Sequence, residues 1–481
     1  MAIQQPKKSY LFINGEQVES QNRSSFIRQH PQFLSGGTEA QSCSIPDATR
    51  AADVAGHAFL SWKESPPCER RRLLLKAADE LELRKSQFTE LMVSETGATA
   101  SWAEFNVMLG AEHLREAASI VSHIQGEIIP SNVTGNLALA VRQAAGVVLG
   151  MAPWNAPVIL GVRAVATPLA CGNTVILKGS ELSPGTHALI IECLAAAGFP
   201  AGVVNYLSCS SEDAPSVVEH LIKHSAIRRI NFTGSTHVGR IIGQTCAKYF
   251  KPVVLELGGK APFIVLEDAD LDIATDSAIF GAFANAGQIC MSTERMIVVD
   301  SVADRFVEKM VSRTGQLSLS ETGYVIDQNT VERCNSLIDD ALTKGARIVT
   351  GGKSASTEMK PTLIDGVTRD MRIWEEESFG PVKSLIRVSN ETEAIAVANE
   401  SAYGLSSAVF SKDINRAWRI AQSLQSGICH INGPTVHDEP QMPFGGTKDS
   451  GTGTFGGSAG VNAFTDLRWV TIQTTGRKLP F

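Results

Sequence analysis

Apolar and polar residues alternate along residues 10–20 (YLFINGEQVES) around Asn14-Gly15, the pattern of a β-hairpin with a tight turn. Residues 20–46, rich in Ser, Gln, Gly and Pro, predict no regular element. From Pro46 the period lengthens. Across residues 68–92, Leu73, Leu74, Ala77, Leu81, Phe88 and Leu91 recur at helical spacing with charges between them, predicting a helix. Gly97 breaks that pattern and residues 101–125 resume it. Residues 125–142 alternate again around Thr134-Gly135-Asn136, predicting a second hairpin that protrudes and is suited to pairing with another subunit.

From Gly146 the rhythm changes. The apolar runs GVVLGMAP, NTVILKG, GVVNYL, RRINFTG and PVVLEL alternate with helix-like segments. One such helix is expected to open with Ser183 as N-cap and Pro184 at its first position, and to close at Gly198. Strand, helix, strand in this order predicts βαβ units and a mostly parallel sheet. A second series of the same kind follows Gly258-Gly259, with helices over 269–283, 304–315, 331–346, 391–400 and 414–424 and strands over 295–299 and 406–411. Residues 314–329 read as loop, and residues 442–460 are glycine-rich. LRWVTIQT near the C-terminus reads as an edge strand.

At 481 residues the chain exceeds the size at which one core stops growing, so at least two domains are expected. A net charge of −7 without any Lys/Arg tract argues against a nucleic-acid surface. The 9 cysteines form no CxxC pair and no zinc-type spacing, so no metal is expected, and all but Cys290 read as buried reduced thiols. Residues 144–171 are apolar enough to raise a membrane span, yet they carry Pro153, Asn155, Pro157, Arg163 and Pro168. That content suits a buried strand, loop and helix, not a lipid-exposed span. The N-terminus resembles no signal peptide and the C-terminus no retrieval signal, so the expected location is the cytoplasm.

The chemistry concentrates at GAFANAGQIC, where Cys290 follows a Gly-Gln turn at the end of an apolar helix. Cys290 is either a core cysteine or an exposed nucleophile that needs its anion. Glu256, between Leu255 and Leu257, is either a solvated strand-end charge or a partly buried base. Asn155 is either a helix cap or an amide aimed at a developing oxyanion. Gly234 and Ser235 stand at the start of a helix that runs on through Gly239, a placement suited to phosphate but not the GxGxxG pattern. Arg163 reads first as a member of a structural ion pair and second as a contact for a polar substituent on a substrate.

Taken together, these motifs resemble the aldehyde dehydrogenase superfamily. Pro153-Trp154-Asn155, Lys178-Gly179-Ser180-Glu181, Phe232-Thr233-Gly234-Ser235, Glu256-Leu257-Gly258-Gly259-Lys260, Gly287-Gln288-Ile289-Cys290, Glu377-Ser378-Phe379-Gly380-Pro381 and Pro443-Phe444-Gly445-Gly446 stand in that family's order. Details such as KGSE, GQICMSTER and LRWVTIQT resemble the branch that oxidises aromatic aldehydes, the salicylaldehyde and vanillin dehydrogenases. The resemblance implies two doubly wound α/β domains with a small β extension for oligomerisation. An NAD-binding domain would span 1–122 and 143–256, a catalytic domain 257–458, and a hairpin and terminal strand (123–142 and 459–481) would build a homodimer or homotetramer. It implies Cys290 as nucleophile, Asn155 with the Cys290 backbone N–H as oxyanion site, and Glu256 as base for hydrolysis of a thioester. NAD, with NADP as a second possibility, would meet Pro153, Trp154, Lys178, Glu181, Gly234, Ser235, Gly239, Leu257, Glu377 and Phe379. The rival readings are a cofactor-independent thiol esterase and a catalytically silent binding protein. Two departures stand out. Ala284 replaces a bulky residue, which widens the expected substrate tunnel, and residues 450–457 lack the aromatic and arginine usual in this branch.

Overall fold

The computed structural model describes residues 6–33 and 36–481. Two large sheets carry most of the chain. The first has eight strands, in the order Gly451–Thr452, Val253–Glu256, Ile227–Thr233, Val147–Met151, Thr174–Lys178, Val204–Leu207, Leu11–Ile13, Glu16–Val18. Its five middle strands run parallel and the flanking ones antiparallel. Three of the middle strands, Val147–Met151, Thr174–Lys178 and Val204–Leu207, are buried along their whole length and read as largely apolar runs, as a sheet covered on both faces requires. The second sheet has seven strands, from Arg347–Thr350 through Thr362–Asp365, Val382–Val388, Thr293–Val299, Ala261–Val265 and Ser406–Phe410 to Ile428–Ile431, all parallel except the first.

Chain order reverses in the first sheet between Val147–Met151 and Ile227–Thr233. A crevice at the carboxyl ends of strands that flank such a reversal is where open α/β sheets bind ligands. Met151 lies opposite Lys178 on one side and Phe232 on the other, and Thr233 lies opposite Glu256. The segments 153–155, 178–181, 233–235 and 256 therefore leave the sheet along one edge.

A third sheet joins Thr465–Gln473, Asn136–Ala144 and Glu127–Ile129. Nine paired residues tie the C-terminal strand antiparallel to the hairpin, as its reading as an edge strand expects. The hairpin at Asn14-Gly15 also forms, with both residues in the left-handed region. Among the described residues no helix is long and apolar enough to cross a membrane.

Several local expectations are corrected. Residues 68–92 are not one helix but two, Pro67–Leu83 and Lys85–Thr96, separated where Arg84 leaves helical geometry at φ −100 and ψ 18. Apolar spacing is preserved across that break, so periodicity alone does not reveal it. Residues 20–46 supply the strands Ser25–Arg28 and Thr38–Gln41, and the loop 314–329 contains a short helix, Leu319–Thr322, with a capping box. Ser183 occupies the N-cap position but makes no capping bond. The distant Glu95 does it instead, accepting from Gly185 N at 2.7 Å and Thr186 N at 3.1 Å. Of the cysteines, Cys68 is exposed and Cys429 half-buried, because Cys68 lies on the outer face of its helix.

Candidate active site

The helix Leu271–Phe283 ends earlier than the glycine expected to stop it. Ala284 is already extended, and Asn285, Ala286 and Gly287 then follow with φ of 49, 55 and 70. Three consecutive left-handed residues, two of them with a Cβ, are costly and persist only when neighbours over-determine them. Asn285 Nδ2 donates to the Asn155 carbonyl at 3.0 Å. Gln288 Nε2 donates to the Asn285 and Tyr324 carbonyls at 3.1 and 3.0 Å, while its Oε1 accepts from Ile326 N at 2.8 Å. The loop is thereby clamped on both sides immediately before Cys290. A Cβ on Gly287 would stand 2.4 Å from Gly380 O, and one on Gly259 would stand 2.3 Å from Cys290 O. Gly287→Ala is expected to cost about 2 kcal/mol or more, read as a drop in Tm; an unchanged Tm would show that the loop is free to relax.

Asn155 is held from the other side. Its carbonyl accepts from Trp102 Nε1 at 3.0 Å and its Nδ2 donates to Gln288 O at 2.9 Å. Asn155, Glu256 and Cys290, distant in sequence, line one chamber of about 530 Å³ with Leu160, Glu377 and Phe379. Glu256 is 1 % exposed and neither of its carboxylate oxygens has a hydrogen-bond partner. Burial raises its pKa to about 7, against the opposing pull of Cys290 and the Arg163 charge. Burial and the neighbouring Glu256 push the Cys290 thiol well above its ordinary value. Cys290 is thus half-buried in a chamber wall and not fully exposed as its position after a turn implies.

A second cavity, also of about 530 Å³, shares Pro153, Trp154, Leu182, Thr233, Gly234 and Ser235 with the first. Lys178 and Glu181, paired at 3.7 Å, stand in its wall, with apolar side chains such as Val218 and Ile241 around them. Ser235 caps the helix Thr236–Lys248, accepting from Val238 N at 3.3 Å, at the junction of the two cavities. Glu377 accepts from Gly259 N at 2.8 Å, and burial raises its pKa to about 7. Phe379, at φ 40, meets Trp154 edge-on with ring centres 5.9 Å apart. The predicted residues thus gather along one continuous trough, with two exceptions. Gly239 and Leu257 line neither cavity; a Cβ on Gly239 would be 2.3 Å from Leu257 Cδ2, so they pack the helix onto its strand. The trough fits a dinucleotide: an acid–base pair for a ribose at one end, a capped helix N-terminus midway, and a thiol at the other.

The sequence reading missed two features. Arg163 forms its expected ion pair, with Asp438 as partner, and the guanidinium lies 4.2 Å from the centre of the Phe444 ring. His113 stands 3.6 Å from the same carboxylate. Asp438 is 275 residues from Arg163, and no local pattern marks it. Second, Glu294 accepts from Lys260 at 2.7 Å, from Lys383 at 2.5 Å and from Ser378 Oγ at 2.6 Å, all buried. This network links the segments that carry Cys290 and Glu377. Acidic and basic residues inside apolar strands signal it in the sequence, but only after strand order is known.

The model of the aldehyde dehydrogenase family matches residues 19–470. A vanillin dehydrogenase from a Pseudomonas species is 54% identical over 477 residues, spanning 98% of this chain and 99% of the relative. A salicylaldehyde dehydrogenase from Pseudomonas putida is 48% identical over 482 residues, spanning 98% and 100%. The crystal structure of a salicylaldehyde dehydrogenase from Pseudomonas putida, complexed with salicylaldehyde, superposes with a TM-score of 0.97 at 48% identity, covering 99% of this chain and 100% of that one. A half-buried thiol and an unpartnered carboxylate facing one chamber, beside a dinucleotide-shaped trough, are what that kinship calls for, and this chain belongs to the aldehyde dehydrogenase family.

Proposed function

We propose that this protein oxidises aromatic aldehydes to carboxylic acids with NAD(P)+. The observation that carries the reading is the shared chamber of Cys290, Asn155 and Glu256, with both Glu256 oxygens free. Cys290 gives its thiol proton to the facing Glu256 carboxylate, which passes it on to solvent, as the sulfur adds to the aldehyde carbon; the oxyanion rests on the Asn155 amide and the Cys290 N–H. The cofactor, when bound, accepts the hydride that turns this thiohemiacetal into a thioester. Glu256 then takes a proton from water as it attacks the thioester, releasing the acid and the free thiol. Pure protein mixed with benzaldehyde and NAD+ is expected to generate NADH absorbance; silence across a broad aldehyde panel would overturn the reading. Ester cleavage without cofactor, or binding without turnover, finds no support in relatives that are dehydrogenases.

Lys178 and Glu181 hold the adenosine ribose in this reading, Gly234 and Ser235 the pyrophosphate, and Glu377 and Phe379 the nicotinamide end. The first sheet serves as the NAD-binding domain (1–122 and 143–256) and the second as the catalytic domain (257–458). A carboxylate accepts from both ribose hydroxyls and repels a 2′-phosphate, so NAD is preferred. Glu181→Gln is expected to narrow the NAD-over-NADP ratio of kcat/KM by roughly tenfold, the effect of removing one nearby like charge. An unchanged ratio would remove Glu181 from the ribose site.

The third sheet (residues 123–142 and 459–481) joins subunits in the same reading. Trp469, Leu467 and Ile129 are 78%, 61% and 46% exposed, and the strand register sets all three on one side of this small sheet, an apolar face that a second copy of this chain would cover. Light scattering is expected to give a homodimer or homotetramer, and Trp469→Asp with Leu467→Lys to give a monomer.

A further inference from the structure

Beside the chamber lies a second buried cluster that the three-residue mechanism does not use. Arg163 is 5 % exposed, its pair with Asp438 is inside the protein, and the guanidinium rests on Phe444. Two polar atoms here lack partners, Asp438 Oδ1 and His113 Nε2. Both line a small cavity together with Arg163, Glu116, Glu439 and Phe444. A buried pair removed from water costs more than it returns unless its geometry does something else. Arg163 stands close enough to Glu256 and Cys290 for its charge to favour the ionised form of both, and Asp438 acts on Glu256 in the opposite sense. Asp438 itself stays ionised. Burial alone would raise its pKa, but Arg163 and His113 outweigh that and hold it at about 2. Burial, with the Arg163 charge, pushes the His113 pKa down, and the ring lies against the carboxylate with Nε2 3.6 Å from Asp438 Oδ2.

We propose that Asp438, lying against His113, is a positioning residue: it anchors the Arg163 guanidinium on Phe444 and cancels part of its charge, so that Glu256 feels a dipole and not a free cation. The proposal rests on the assignment of Glu256 as the base. Cys290, Arg163 and Asp438 act on Glu256 most strongly; Glu376, Glu377, His237, Asp327, Arg333 and Tyr403 line the same chamber, and the groups around the pair are His113, Glu116 and Glu439. Opposite displacements by its two members follow from this arrangement. Unpairing Arg163 strengthens its field at the base, whereas deleting it leaves only the carboxylate's.

The test is the acid limb of the pH profile of kcat/KM for benzaldehyde, in the full-length enzyme. Asp438→Asn is expected to move the limb down and Arg163→Gln to move it up, each by about one pH unit for a charge at this range. Asp438→Glu restores the parental limb. Removing one charge of a buried pair threatens folding, so the double variant Arg163→Met/Asp438→Leu, which removes both, accompanies the singles and is expected to return the limb to near its parental position. Opposite shifts with cancellation support the proposal. Loss of rate with an unmoved limb, or a double variant displaced as far as a single, overturns it. A parental enzyme that oxidises no aldehyde, or whose acid limb survives in Glu256→Gln, overturns the underlying assignment of the base instead.

Discussion

Cys290→Ala is expected to abolish aldehyde oxidation, by about four orders of magnitude or more, and to leave NAD binding largely intact. Among the described residues that line the chamber, Cys290 is the one thiol, and it stands there with Asn155 and Glu256. The second cavity, around Lys178, Glu181 and Ser235, is built on the first sheet and its walls do not include Cys290. Isothermal titration with NAD+ and a turnover assay separate the two effects. Loss of both would mean that the substitution collapses the clamped loop 285–288 and does not merely remove the sulfur. Residual turnover within tenfold of the parent would remove Cys290 from the chemistry altogether.

Glu256→Gln has the second largest effect, and it bears on both activity and stability. As base, Glu256 works only when ionised, so hydrolysis of the thioester is expected to rise with pH through about 7 and then level off, and Glu256→Gln to lose at least a hundredfold in kcat. Stability runs the other way. The folded carboxyl has its pKa raised from 4.5 to about 7 by burial, so the native state binds its proton more tightly than the unfolded chain. Stability therefore falls as pH rises between those two values, and the penalty is complete above the upper one. Its upper bound is about 3 kcal/mol, from 1.36 kcal/mol per pKa unit. Glu256→Gln is expected to raise the Tm above the parent's at alkaline pH and to match it in acid. A variant less stable than the parent at alkaline pH would mean that the carboxylate has partners which the structure does not give it. Such a trade of stability for a reactive group is the usual signature of a functional site.

Much of this was legible in the residues. Cys290, Glu256 and Asn155 stand beside glycines and prolines that mark turns, and the strand rhythm from Gly146 identified the parallel sheet they leave. Trough residues from Lys178 to Phe379 fall on strand ends and turns for the same reason. What stayed hidden depends on contacts between distant segments. Asp438 reaches Arg163 only because the loop after Ile428–Ile431 folds back over the helix Pro157–Ala170. Glu95 caps a helix almost a hundred residues away, and so Ser183, the obvious local candidate, makes a side-chain contact with His187 at 3.2 Å instead. Gly239 looked like a phosphate glycine because it follows Gly234-Ser235, yet its lack of a side chain serves the packing of Leu257. Local pattern does not distinguish a glycine that admits a ligand from one that admits a leucine.

In the proposed reaction Cys290 carries an acyl group that Glu256 helps to release. The most direct measurement is mass spectrometry of Glu256→Gln quenched in acid after mixing with benzaldehyde and NAD+. The account predicts a benzoyl adduct on the peptide containing Cys290, appearing only when both aldehyde and NAD+ are present. An adduct on another residue, an adduct formed without cofactor, or NADH formed at the parental rate with no adduct would contradict it.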